Sequence, residues 1–236
     1  MRRRTDRLIV ALDAPRLPEA LAMARRLRGV VRTVKVGSVL FTAHGPVAIR
    51  RLRALGFGIM LDLKFFDIPS TVAASCRAAV RHRVSLLTVH ASGGREMLKA
   101  AVEAVRSEAR SARVAPPLVL GVTVLTSVGT DDGAAMTRRV LDLARSAVKA
   151  GCDGVVASAH EAAALRKRLG KRPAIVCPGI RPALSPAGDQ RRVCTAGEAI
   201  ARGADWLVVG RPITHASHPQ RVAKALLMEM EAVNGC

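Results

Sequence analysis

Aromatic residues are scarce in this chain: no tyrosine, one tryptophan and four phenylalanines, 2% of 236 residues. A protein that stacks bases on aromatic platforms needs more of them. Acidic residues are also few, 18 against 38 lysines and arginines, for a net charge of +20. Such a balance attracts polyanions and steers anionic substrates toward the surface. The cations fall on stretches that read as outer helix faces, such as Arg25, Arg26 and Arg28, or Arg166, Lys167 and Arg168. A solvated basic surface is therefore expected rather than a dedicated nucleic-acid site, with nucleic-acid binding a secondary property at most.

Other absences narrow the class further. The five cysteines, Cys76, Cys152, Cys177, Cys194 and Cys236, are scattered and never form a CxxC pair. Neither a disulfide framework nor a zinc site is suggested, and a cytoplasmic location is expected. No apolar run approaches the roughly 18 residues of a membrane span, so no membrane association is expected. The basic start runs straight into Leu8 to Leu12 without a small-residue cleavage site, which argues against a secretion signal.

What is present is a repeat. Short apolar, β-branched runs alternate with stretches of helical period: Leu8 to Leu12, Thr33 to Val36, Ile59 to Leu63, Leu86 to Val89, Leu118 to Val122, Gly154 to Ala157, Ala174 to Cys177 and Trp206 to Val209. Length alone suits two small domains or one barrel, but eight βα units without a linker predict a single-domain (β/α)8 TIM barrel over residues 1–236. Residues 1–6 form a basic N-terminal extension to it.

Active sites of such barrels sit at the C-terminal ends of the strands. The residues there are mostly polar: Asp13, Lys35, Asp62 with Lys64, His90, Thr123 to Thr126, Ser158, Pro178 with Gly179, and Gly210 with Arg211. The sharpest segment is Leu61-Asp62-Leu63-Lys64-Phe65-Phe66-Asp67-Ile68-Pro69-Ser70-Thr71. Period-two alternation directs Asp62 and Lys64 to one side of a strand. Ser70 or Thr71 can cap the helix that follows. Taken alone, the segment also fits a structural ion pair at a strand end.

This segment resembles the Asp-x-Lys-x-x-Asp-Ile-Pro signature of the orotidine 5'-phosphate decarboxylases. Further pieces match in family order: Val10 to Asp13, Lys35-Val36-Gly37, Val89 to Gly94, Val122 to Ser127, Pro178 to Pro182, Gly188 to Arg192 and Gly210 to Thr214. The resemblance implies decarboxylation of orotidine 5'-phosphate to UMP, without cofactor or metal, in a homodimer with shared active sites. It implies Lys64 as proton donor to C6, Asp62 beside the departing carboxylate, and Lys35 and the partner subunit's copy of Asp67 completing an alternating charge array. Asp13 and Lys35 would hold the ribose, and Thr126 the pyrimidine. Ile68 and Thr71 complete the substrate-binding set. Arg181, Gln190, Gly210 and Arg211 would take the phosphate, under a loop over Pro178 to Gly188 that closes on it. Phe66 and Ser70 replace the more usual histidine and asparagine, and the connection after Ser127 is short.

The rival within this superfamily is a magnesium-dependent sugar-phosphate decarboxylase or aldolase. Those relatives carry a glutamate at position 35, where a lysine would repel the metal.

Overall fold

The structure, a computed structural model, describes residues 7–125, 133–181 and 194–233. Eight parallel strands close into a barrel in chain order, with β8 paired to β1. The strands are β1 (Leu8–Ala11), β2 (Thr33–Gly37), β3 (Gly58–Phe65), β4 (Leu86–His90), β5 (Leu118–Val122), β6 (Gly154–Val156), β7 (Ala174–Cys177) and β8 (Trp206–Val209). All eight apolar runs of the sequence are thus strands of one sheet, their ends displaced by no more than two residues.

The helices are α1 (Leu17–Leu27), α2 (Ser38–His44), α3 (Pro46–Ala54), α4 (Pro69–Arg81), α5 (Gly94–Ser111), α6 (Gly133–Lys149), α7 (Ala162–Leu169), α8 (Ala196–Ala201), α9 (Arg211–Thr214) and α10 (Pro219–Ala232). Their apolar residues recur at helical spacing. In α5 these are Met97, Leu98, Ala101, Val102, Ala104, Val105 and Ala109, all buried. Each fully buried side chain of valine or leucine size contributes about 1.5–3 kcal/mol, so the stripe outweighs intrinsic propensity in holding the helix. On β5, Gly121 lets α6 approach closely, since a Cβ there would lie 2.7 Å from the Ala147 Cβ.

Alternation along the strands makes two apolar layers. One set, including Leu8, Val10, Val34, Val36, Ile59 and Leu61, packs under the helices. The other, including Ile9, Met60, Leu86, Leu120, Val176 and Trp206, fills the barrel interior. Following the inward set toward the strand C-termini, Ile9 and Ala11 lead to Asp13, Met60 to Asp62, and Leu86 to Thr88. The interior plug thus ends in a polar floor at the barrel mouth, because the same two-residue period continues past the apolar residues.

One local expectation fails. Neither Ser70 nor Thr71 caps α4: the helix starts at Pro69, its N-cap position is Ile68, and no side chain caps it. Proline's fixed φ suits the first helical position, which moves the start ahead of both hydroxyl residues.

Candidate active site

At the mouth, a cleft of about 830 Å³ is lined by Asp13, Lys35, Asp62, Lys64, Arg181, Gly210 and Arg211, among others. Asp62 is its electrostatic centre. Its Oδ2 lies 3.0 Å from Lys64 Nζ and 3.5 Å from Lys35 Nζ, and its Oδ1 accepts a 3.0 Å hydrogen bond from the Thr88 hydroxyl. Lys35 also donates to Asp13 Oδ1 at 2.9 Å. The Asp62 and Lys35 side chains keep only 12% and 13% of their exposure. This is therefore not a screened surface pair of negligible worth. Burial alone would raise the Asp62 carboxyl; the charges of Lys35 and Lys64, with hydrogen bonds from Lys64 and Thr88, outweigh it and hold it below the usual carboxylate range.

Two backbone features make the cluster possible. Gly37 follows Lys35 on the inward side, and a Cβ there would come within 2.8 Å of Lys35 Nζ and 2.9 Å of Asp13 Oδ1. Lys64 has φ +49, left-handed backbone that costs a side-chain-bearing residue about 1–2 kcal/mol. The β3–β4 register shifts between Leu61 and Phe65 at the same place. Asp62 and Lys64 do meet, as alternation predicts, but Lys64 reaches its partner from a kinked rather than an extended strand. Its N–H donates to Thr88 Oγ1 at 2.9 Å, so one buried hydroxyl serves both the carboxylate and the kink.

Thr88 was not among the sequence-derived site residues. Inside Leu86-Leu87-Thr88-Val89-His90 a threonine reads as a β-branched strand residue. The signal that could have found it is its inward register, two places past Leu86, on the strand beside Asp62.

Asp67, Ile68 and Thr71 lie elsewhere. None lines the cleft of its own chain. Asp67 is exposed and its Oδ1 takes the Ile68 N–H at 2.6 Å, while Ile68 and Thr71 are exposed at the start of α4. Phe66, 63% exposed, lies tilted on His90 with ring centroids 5.4 Å apart. Burial, with the charges of Lys64 and Arg139, lowers His90 from the usual imidazole range, and its Nδ1 lies 2.6 Å from Ser92 Oγ. Past β7, Arg181 is held by a 3.0 Å bond from its N–H to the Cys194 carbonyl. Gly210 and Arg211 stand where β8 gives way to α9. Thr126 and Gln190, the connection after Ser127 and most of the Pro178 to Gly188 loop fall outside the described residues.

The profile of the Orotidine 5'-phosphate decarboxylase / HUMPS family matches residues 6–226. An orotidine 5'-phosphate decarboxylase of Nostoc sp. is 45% identical over 97% of this chain and 98% of its own length. One of Syntrophotalea carbinolica is 46% identical over 96% and 95%. The crystal structure of orotidine 5'-phosphate decarboxylase from Lactobacillus acidophilus superposes with a TM-score of 0.81 at 36% identity, covering 95% of this chain and 99% of that one. With profile, relatives and barrel in agreement over nearly its whole length, the chain belongs to the Orotidine 5'-phosphate decarboxylase / HUMPS family.

Proposed function

We propose that the chain converts orotidine 5'-phosphate to UMP, in the de novo pathway to pyrimidine nucleotides, with neither metal nor cofactor. The observation that carries this reading is the linked array Lys35, Asp62 and Lys64, one largely buried carboxylate between two ammonium groups at the barrel mouth. The C6–carboxylate bond breaks, its electron pair stays on C6, CO₂ departs, and a proton from Lys64 Nζ goes to C6. No cofactor delocalises that pair, so charge placed in advance must stabilise it. Asp62, ionised by its neighbours, faces the departing carboxylate. Their repulsion falls as neutral CO₂ forms, while the Lys64 ammonium favours the growing charge on C6.

Arg181, Gly210 and Arg211, past the ends of β7 and β8, suit a phosphate. Arginine offers a planar fork of donors, glycine lets backbone N–H groups approach, and barrels commonly take phosphate after strands seven and eight. Gln190 would join them, and Thr126 would meet the pyrimidine. Asp13 and Lys35 would hold the ribose hydroxyls. The partner subunit would supply its copies of Asp67, Ile68 and Thr71, which do not line their own cleft.

The residues do not suit the magnesium-dependent alternative. A metal held by Asp62 would need a second oxygen ligand from strand β2, and there Lys35 sets an ammonium 3.5 Å from that carboxylate. The test is the absorbance of orotidine 5'-phosphate in the presence of EDTA. Conversion to UMP at an undiminished rate is expected; conversion that needs added Mg²⁺, or activity on sugar phosphates alone, refutes the metal-free reading.

Thr88→Val keeps the shape of β4 and removes the hydroxyl. Losing a hydrogen bond to a charged group costs about 1.5–3 kcal/mol, so kcat should fall by about 10–100-fold with KM changed far less. One of the causes that lower the Asp62 carboxyl disappears with the hydroxyl, and that carboxyl must be ionised to act. The acidic limb of the kcat profile should therefore move to higher pH, and Thr88→Ser should restore both. A profile identical to the parent's would remove Thr88 from the site.

A further inference from the structure

The fold gathers the basic residues more than the chain order suggests. Because all eight strands are parallel, every link from a helix to the next strand lies at the N-terminal end of the barrel, opposite the cleft. Among the described residues these links carry exposed Arg28, Arg83, Arg113, Lys171 and Arg172. The last turns of six helices add further cations to the same end. Of the acids at this end, Asp153 and Asp205 in the links are turned onto the protein itself and Glu108 in the last turn of α5 pairs with Arg81, while the last turn of α10 carries Glu229 and Glu231 and no cation. Asp153 accepts the Val119 N–H at 2.9 Å, and Asp205 takes Arg166 at 2.6 Å and the Ile175 N–H at 2.8 Å.

A second observation concerns the backbone. Each of the seven helix-to-strand links turns through one left-handed residue, and at five it is glycine: Gly29, Gly56, Gly151, Gly170 and Gly203. At the other two it is an arginine, Arg83 with φ +53 and Arg113 with φ +51. Glycine adopts this conformation freely and arginine does not. The attraction of a cation to a helix C-terminus explains basic residues in the last turns. It explains less well why the chain keeps long cationic side chains at two positions where the sister turns use glycine.

We propose that this end of the barrel binds the phosphate backbone of double-stranded nucleic acid. Large aromatic side chains near these links, Phe57 and Trp206, are buried, so the face offers no platform for unpaired bases. A duplex presents dense, regular negative charge that scattered guanidinium and ammonium groups can neutralise without reading sequence. The face lies opposite the cleft, so duplex and small substrate can be held together.

The test uses the full chain and a labelled random-sequence DNA duplex of about 30 base pairs in about 100 mM salt, where such contacts still hold. The variant Arg83→Gly, Arg113→Gly, Lys171→Gln, Arg172→Gln should bind at least about tenfold more weakly, and the slope of log K against log salt should drop by about 3–4. Its melting temperature should not fall, since glycine relieves both strained turns. A control with four exposed cations replaced elsewhere, Arg95→Gln, Lys99→Gln, Arg138→Gln and Arg145→Gln, should bind as the parent does. Equal weakening in both variants would make the attraction a property of net charge and overturn the proposal. So would failure of the parent to bind the duplex, or tighter binding of single strands or phosphatidylserine vesicles.

Discussion

Lys64→Ala should leave a folded protein that still takes up orotidine 5'-phosphate and releases almost no UMP. Proton delivery by a positioned group contributes roughly 10²–10⁴-fold, and a fixed charge aimed at a developing anion contributes on the order of 10²–10³-fold. The two roles fall on one ammonium group, so kcat is expected to drop by on the order of 10⁴ or more. The fold should survive because Lys64 keeps 35% of its side-chain exposure and Asp62 retains Lys35 and Thr88 as partners. Substrate uptake should survive because Arg181, Gly210 and Arg211, which line the cleft from the ends of β7 and β8, are untouched. Calorimetric binding beside the absorbance assay separates the two effects. A variant that turns over within tenfold of the parent would mean that the C6 proton comes from elsewhere.

The barrel was legible in the sequence because both of its signals are local. Eight apolar runs separated by amphipathic stretches need no tertiary information to count, and each became a strand. The charged rim was legible for the same reason, since Asp13, Lys35, Asp62 and Lys64 stand at or just past the C-terminal ends of the apolar runs. Alternation could not disclose that Lys64 occupies left-handed backbone, because the rule assumes an extended chain and the kink depends on what β4 offers the Lys64 N–H. Thr88 was hidden by composition: its hydroxyl matters only once the register sets it beside Asp62. The helix start at Pro69 shows the converse error, where two good capping residues outweighed the stronger constraint of a proline. The gathering of cations at one end of the barrel was invisible because residues far apart in the chain meet only when the sheet closes.

Asp67 leads to the second large expectation, a gain rather than a loss. Its carboxylate is exposed, bonded to its neighbour's N–H and absent from the cleft lining, while Phe66 and Ile68 beside it are both 63% exposed. Such an apolar pair flanking a charged residue at the barrel mouth suits a two-fold contact that carries Asp67 into the other subunit's cleft. Lys64→Ala and Asp67→Ala should then each be inactive as homodimers. Co-expressed with different tags and isolated as the mixed dimer, they should recover activity: one site carries both lesions and the other carries neither. The mixed dimer should reach about half the parent rate, and a randomly reassorted mixture about a quarter. If Asp67 served its own chain's cleft, every site would retain one lesion and mixing would recover nothing. A mixed dimer as inactive as its parents would therefore rule out the shared site, even if Lys64 proves indispensable.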